Sequence, residues 1–151
     1  MAMIFGRMVH PAAWCALAVT AALLPGCSAE KPPAPHAPQA RTYAVDQTGA
    51  AKSCTAPRPT LTAGKPSDVA MAVTNDGGWC GLAVAQAGPK PFGAGLLTTR
   101  PAHGKVYVHT VGDDTRIDYT PDIGFAGTDG FTVQLVPGDA SVRVAVTVGP
   151  K

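Results

Sequence analysis

The sequence predicts an all-β domain, an antiparallel β-sandwich of about seven short strands, and three observations carry this prediction. Apolar and polar residues alternate in several segments of the C-terminal hundred residues, which is the period of a strand with one face in a core. Turn-forming residues separate those segments at short intervals. Beyond the apolar N-terminus, no stretch shows the 3.6-residue period of a helix.

The first half of this domain contains two clear strands and several weaker candidates. The clear strands lie on either side of residues 75–78, where Asn, Asp and two glycines favour a turn. Their inward residues are Val69, Met71 and Val73 in one strand, and Leu82 and Val84 in the other. Residues 60–62 and 96–99 are weaker strand candidates, and residues 42–45 are a candidate edge strand.

The second half contains four strands joined by tight turns at 112–114 and 137–139. The last strand is the clearest, because four valines alternate along it. The inward residues of the four strands are, in chain order, Val106 and Val108; Ile117 and Tyr119; Phe131, Val133 and Leu135; and Val142, Val144, Val146 and Val148. We expect these residues to form the core.

The N-terminus has the features of an export signal. Arg7 precedes an apolar run over residues 12–24 that is too short to be interpreted as a membrane-spanning helix. The run ends in Leu24-Pro25-Gly26-Cys27, which resembles a bacterial lipobox. The resemblance implies a lipoprotein signal peptide over 1–26 and a lipid-modified Cys27. The alternative is an ordinary secretory signal cleaved near Ala29.

Lipidation would place the chain in the bacterial cell envelope, at the outer membrane or the periplasmic face if two membranes are present. Residues 27–51 follow as a proline-rich linker, since the prolines between 32 and 38 favour an extended polyproline II spacer. The sandwich domain is predicted over 52–151. Whether residues 41–51 join that domain is left open by the sequence.

The charge of the chain bears on its partners, and its cysteines bear on a possible disulfide. Without Arg7 the chain has eleven basic residues against ten acidic ones and no block of like charge, so no nucleic-acid partner is predicted. Cys15 is lost with the signal and Cys27 takes lipid, which leaves Cys54 and Cys80. In an oxidising compartment this pair is expected to form a disulfide. No Cys-x-x-Cys motif indicates a redox site.

One segment resembles a known family. Between Pro101 and Leu135 the chain reads Pro-x-His-Gly-x-Val, then Tyr-x-Pro, then Gly-Phe-x-Gly-x-Asp-x-Phe. This pattern resembles the C-terminal half of the bacterial Ig-like (cadherin-like) repeat of cell-surface and secreted proteins. The resemblance implies an Ig-like β-sandwich and names no ligand, because one fold hosts many functions.

Catalytic motifs are absent from the sequence. Glu30 is the only glutamate and lies in the linker, and the domain's serines Ser53, Ser67 and Ser141 have no nucleophile motif around them. Metalloprotease and phosphate-loop motifs are also missing. We therefore expect a non-enzymatic protein without a cofactor. The alternative is a small periplasmic enzyme or enzyme inhibitor.

Two histidines and scattered aspartates are the only candidate metal ligands in the domain. His103 is expected to hydrogen-bond backbone in its turn, and His109 to point into solvent beside Tyr107. Calcium needs several converging oxygens, and no Asp-x-Asp run supplies them. No metal site is predicted, although a calcium-dependent adhesin domain stays as a further alternative.

The candidate contact residues are Phe92, Tyr107 and His109, which we expect in loops or on outward strand positions. Phe92 lies between a proline and a glycine, so it is either an exposed loop tip or a residue tucked under the sandwich. Phe131 and Tyr119 are instead assigned to the core. The sequence thus predicts an envelope lipoprotein whose single domain contacts a protein or glycan, or has a structural role.

Overall fold

The computed structural model describes residues 42–88 and 90–151, and it confirms an all-β sandwich. It has eight strands rather than about seven: β1 Cys54–Thr55, β2 Pro66–Thr74, β3 Cys80–Val84, β4 Ala94–Thr99, β5 Gly104–Val111, β6 Asp114–Pro121, β7 Gly127–Val136 and β8 Ser141–Gly149. The one helix within these ranges is a single 3-10 turn, Ala44–Gln47. None of the helical structure there is long and apolar enough to cross a membrane.

The strands form two sheets. The larger has the order β1-β2-β8-β7-β4, and the smaller has the order β3-β6-β5. Neighbouring strands run antiparallel, except that β2 and β8 are parallel over their whole length. This arrangement is that of an Ig-like sandwich.

The inward faces of the two sheets form one hydrophobic core, as the alternation predicts. The rings of Tyr119 and Phe131 stack at its centre with their centroids 5.8 Å apart. The buried strand residues include Val69, Met71, Val73, Leu82, Val84, Ile117, Val133, Leu135, Val142, Val144, Val146 and Val148. Val106, Val108 and Phe125 are only partly buried and pack against this core.

The predicted disulfide between Cys54 and Cys80 is confirmed. It joins β1 of the larger sheet to β3 of the smaller sheet, with a Cα–Cα distance of 5.3 Å and a sequence separation of 26. Closing a loop of this length contributes ~3–4 kcal/mol in the chain-entropy model. The bond therefore holds the two layers together at the edge where β1 is too short to do so alone.

Two weaker strand predictions are wrong. Residues 60–62 form no strand, and only Thr62 makes an isolated bridge, to Lys65. Residues 42–45 are not an edge strand, because the chain turns into the 3-10 helix there. The Asp46 carboxylate stabilises that turn by accepting a hydrogen bond of 2.8 Å from the Tyr43 amide.

Residues 44–51, which we call the strap, pack against the domain. The Trp79 amide donates to the Gly49 carbonyl, and the Ala51 amide donates to the Trp79 carbonyl at 2.8 Å. Ala51 is buried in the core cluster. The folded part of the chain therefore begins before residue 52, and the predicted linker over 27–51 is too long at its C-terminal end.

Phe92 is buried, so its proposed role as an exposed contact residue is wrong. Its ring lies in the core cluster with 8% of the residue exposed. Its backbone amide donates a 2.8 Å hydrogen bond to the Thr115 hydroxyl of β6, which fixes the loop under the sandwich. The tucked alternative is the one that the structure contains.

Candidate functional site

The outward face of the three-stranded sheet carries a group of polar and aromatic side chains. In the β5–β6 register Tyr107 lies opposite Asp118, and His109 lies opposite Arg116. Because the intervening residues of β6 face the core, these four side chains share the outer surface. Trp79, just before β3, lies beside them. We call Trp79, Tyr107, His109, Arg116 and Asp118 the outer cluster.

Asp118 is the buried centre of the outer cluster. Its Oδ2 lies 2.9 Å from His109 Nε2 and accepts a 3.1 Å hydrogen bond from Arg116 Nε. Arg116 Nε is also 2.9 Å from Oδ1, but that oxygen is buried without a well-formed hydrogen bond among the described residues. Only 7% of the Asp118 side chain is exposed. A buried carboxylate is stable here only because two cationic or polar partners hold it.

Arg116 connects this carboxylate to Trp79 and to the strap. Its guanidinium lies over the indole ring at 4.0 Å from the centroid, a cation–π contact. Its Nη1 donates to the Asp46 carbonyl, and Trp79 Nε1 donates to the Thr48 carbonyl at 3.0 Å. The strap thus covers one side of the outer cluster and fixes both side chains.

Gly81 makes room for this arrangement. It faces Asp118 across the β3–β6 pair. A Cβ atom on residue 81 would lie 2.6 Å from Asp118 Oδ1 and 3.0 Å from the Trp79 ring. Any side chain at this position would displace the carboxylate, so the buried charge depends on this glycine.

The exposed end of the outer cluster is the pair Tyr107 and His109. Their ring centroids are 4.7 Å apart, and Tyr107 is 65% exposed. The prediction that His109 points outward beside Tyr107 holds, but the prediction that solvent alone surrounds it is wrong. Asp118 holds its ring, and 24% of the side chain is exposed. The pair presents an oriented imidazole and a phenol ring, which can stack on and hydrogen-bond to a partner.

The motif around Asp129 forms a different kind of site. The carboxylate accepts hydrogen bonds of 2.8–2.9 Å from the amides of Ala102, His103 and Gly130 and from the Tyr119 hydroxyl. Burial alone would raise the pKa of Asp129, but these donors outweigh it and lower the pKa below its usual value. Burial and the Asp129 carboxylate raise the pKa of Tyr119. This network closes the turn before β5.

The other candidate ligand residues, His103 and Asp114, make contacts within the domain. The His103 ring stacks on Phe125, with centroids 4.2 Å apart, and the His103 carbonyl accepts a 2.9 Å hydrogen bond from the Asp122 amide. Asp114 pairs with Arg58 rather than with His109. Among residues 42–88 and 90–151, no three His, Cys, Asp or Glu side chains converge as metal ligands. Cys27 lies outside the described residues.

Two other surface features are visible. An open groove of about 430 Å³ crosses the outer face of the larger sheet, where Gly130 and Ala145 leave space between Arg143 and Thr99. Ile123 is fully exposed on the turn between β6 and β7. Neither feature brings together groups with complementary chemistry, whereas the outer cluster does.

Sequence reasoning found Tyr107 and His109 and missed the other three members of the outer cluster. Asp118 looks isolated in the sequence, and Arg116 is a polar residue that alternates with Ile117 and Tyr119. The available signal was the alternation itself, since Arg116 and Asp118 lie on the same face of β6 and Tyr107 and His109 on the same face of β5. The glycine at 81 opposite them was a second signal.

No protein-family profile matches the chain, and no curated protein matches it.

Proposed function

We propose that this chain is a non-enzymatic lipoprotein of the bacterial cell envelope, in which Cys27 carries the lipid. Its single Ig-like domain, of the cadherin-like kind suggested by the Pro101–Leu135 motif, presents the outer cluster to another envelope macromolecule. The partner is a protein or a glycan. The proposal needs no cofactor.

One observation carries the proposal of a contact surface: Tyr107 is 65% exposed beside an imidazole held by a buried carboxylate. Burying Asp118 costs stability that an apolar residue of similar size would not cost. The buried Asp118 carboxylate instead provides a fixed orientation for the His109 ring. Tyrosine is also enriched among the residues that dominate binding at interfaces.

The contact surface is tested by crosslinking in the envelope. A photo-crosslinking phenylalanine analogue replaces Tyr107 in the full chain, and the matched control replaces Tyr43, which is 61% exposed. We expect an adduct with another protein from position 107 and none from position 43.

A glycan partner is tested with the same positions. Isolated cell-wall glycan is sedimented with the wild-type protein, with Tyr107→Ala and with Tyr43→Ala. We expect Tyr107→Ala alone to lose cosedimentation if the partner is a glycan. If neither the adduct nor cosedimentation depends on Tyr107, the outer cluster is not a contact surface.

Anchoring is tested separately. The expressed full chain should partition with membranes into detergent, and Cys27→Ser should release or mislocalise it, because the acyl chains are lost. Intact-mass spectrometry reads the mature N-terminus directly. A mature protein that begins beyond Cys27 and lacks lipid would contradict the anchor.

A further inference from the structure

The two sheets end in four edge strands, and these differ in how they are protected. The larger sheet ends in β1 and β4, and the smaller sheet ends in β3 and β5. An edge strand exposes unpaired backbone N–H and C=O groups that can pair with another chain. Natural proteins blunt such edges with short strands, bulges, lysine side chains or a covering segment.

Three of the four edges are blunted. β1 has two residues and is tied down by its disulfide. β4 has an irregular register between Leu97 and Thr99. β3 has five residues, and its beginning is covered by the strap through the Ala50–Trp79 bridge.

β5 has one of these protections, a single lysine near its beginning, Lys105, and lacks the others. It is eight residues long, contains no proline, and pairs with β6 in an unbroken register from Gly104 to Val111. Within residues 42–88 and 90–151, no backbone group bonds to β5 on the side away from β6. At about 3.3 Å per residue it offers an edge of roughly 26 Å.

The register identifies the free groups. Val111 and Asp114 flank a two-residue turn, so they form a hydrogen-bonded pair. Hydrogen-bonded and non-hydrogen-bonded pairs alternate along an antiparallel ladder. The amides of Val106, Val108 and Thr110 therefore point away from β6, at the free edge.

We propose that β5 pairs antiparallel with β5 of a second copy of this chain, so that two smaller sheets join into one six-stranded sheet. The inference rests on the strand geometry and not on the proposed contact with an envelope partner. A two-fold axis is the symmetry expected when one strand pairs with its own copy.

The side chains of β5 suit this self-pairing. Of the registers that keep the outer faces of both copies on the same side, two pair the most residues. One joins residues 104–110 of the two copies, and the other joins residues 105–111. In the first, Tyr107 faces its own copy and Lys105 faces His109 of the partner subunit. In the second, Tyr107 faces His109 of the partner subunit and Lys105 faces Val111 of the partner subunit. Both registers place an aromatic ring beside the exposed Tyr107 ring on the same outer face, and neither opposes two lysines.

The test compares the mass and the amide exchange of the purified full chain in a mild detergent, at a fixed ratio of detergent to protein. At high concentration we expect a mass of two chains. We also expect amide exchange at Val106, Val108 and Thr110 to slow by about tenfold or more relative to a dilute sample. The amides of Lys105, Tyr107 and His109 should be slow in both samples, because they bond to β6.

Thr110→Pro removes one edge N–H from an exposed residue and should abolish the dimer. Thr110→Ser keeps that N–H and should preserve the dimer. If Thr110→Pro loses the β-sheet circular dichroism signal, Tyr107→Lys is the second variant. In the first register it opposes two positive charges across the two-fold axis, and in the second it removes the contact of Tyr107 with His109 of the partner subunit. It should therefore lower the dimer fraction without lowering the melting temperature of a dilute sample.

Three results would overturn the inference: a mass of one chain at every concentration, a dimer that persists in a folded Thr110→Pro or in Tyr107→Lys, or edge amides that are already slow in the single chain. The last would show that a segment of the same chain covers β5. These measurements use only the purified protein, so they can fail while the Tyr107 crosslink to an envelope partner succeeds, and the reverse.

Discussion

Asp118 and Asp129 are two carboxylates of one small domain, and they are held by opposite means. Asp129 accepts hydrogen bonds from three backbone amides and from the Tyr119 hydroxyl. Asp118 is held instead by two side chains, Arg116 and His109, and within the described residues its Oδ1 lacks a well-formed hydrogen bond. The first carboxylate holds the chain, and the second holds other side chains.

Asp129 therefore belongs to the framework of the fold, whereas Asp118 positions side chains at the surface. Backbone donors tie Asp129 to the turn before β5, and a change there loosens the fold itself. Side-chain partners tie Asp118 to His109, which stands beside the exposed Tyr107.

The largest loss of stability is expected in the core, at Phe131, two residues after Asp129. Phe131→Ala should cost ~3–5 kcal/mol, because the ring is buried and stacks on Tyr119. Urea unfolding followed by circular dichroism measures it. Phe92→Ala is the control, with a smaller loss expected since Phe92 lies in a loop at the core's margin. If Phe131→Ala unfolds at the same urea concentration as the wild type, Phe131 does not lie in the core, and the inward and outward faces of the sandwich are assigned the wrong way round.

The next effect concerns the buried ion pair. Asp118→Ala should cost about 3 kcal/mol, the lower end for removing one partner of a buried pair, because Arg116 keeps its contact with the strap. The matched control is Asp68→Ala, whose pair with Arg143 is exposed and should contribute less than about 1 kcal/mol. Equal losses in chemical denaturation would show that Asp118 is no more than a surface charge.

A pH-dependent effect distinguishes Asp129. Its pKa is lower in the folded chain than the usual 3.8, so the ionised form stabilises the fold above that pH. Asp129→Asn should cost about 2 kcal/mol near neutral pH, the range for hydrogen bonds to a charged group. The difference should shrink as pH falls through the folded pKa. Melting temperatures of both proteins from about pH 7 to about pH 2 give the comparison; a constant difference would contradict the role of the charge.

The smallest effect is expected at the exposed ring. Tyr107→Ala should change stability by no more than about 0.5 kcal/mol, since the side chain is mostly in solvent. Tyr43→Ala should behave alike. Thermal melting of the three proteins side by side is the check, and a clear loss for Tyr107→Ala would mean that this residue supports the fold rather than a contact.

Much of the fold follows from local pattern. The alternating valines of β8 place a strand and its inward face without further information. If Cys15 belongs to a signal peptide and Cys27 carries lipid, Cys54 and Cys80 are the remaining pair, and the structure contains their disulfide. Asp129 is found because its motif lies within one short segment of the chain.

The rest depends on contacts that are distant in sequence. Asp118 looks isolated because its partner His109 comes from β5 by strand register, which the turn at residues 112–113 determines. The flanking proline and glycine do not indicate whether Phe92 faces the core or solvent. Its position depends on a contact distant in sequence, the hydrogen bond from its amide to the Thr115 hydroxyl. Residues 42–45 have strand-forming side chains, but Asp46 and the contacts of the strap favour a 3-10 turn.

The strap has a mechanical consequence. Tension that reaches the domain along the chain from its N-terminal side acts first on the contacts of Asp46 and Thr48 with Arg116 and Trp79. These contacts follow one another along the chain, so they can break one at a time, starting from the N-terminal side. Peeling then stops at Cys54, because the disulfide transfers the load to β3 and bypasses residues 55–79. A pulled domain would therefore lengthen by the strap alone before its sheets bear force.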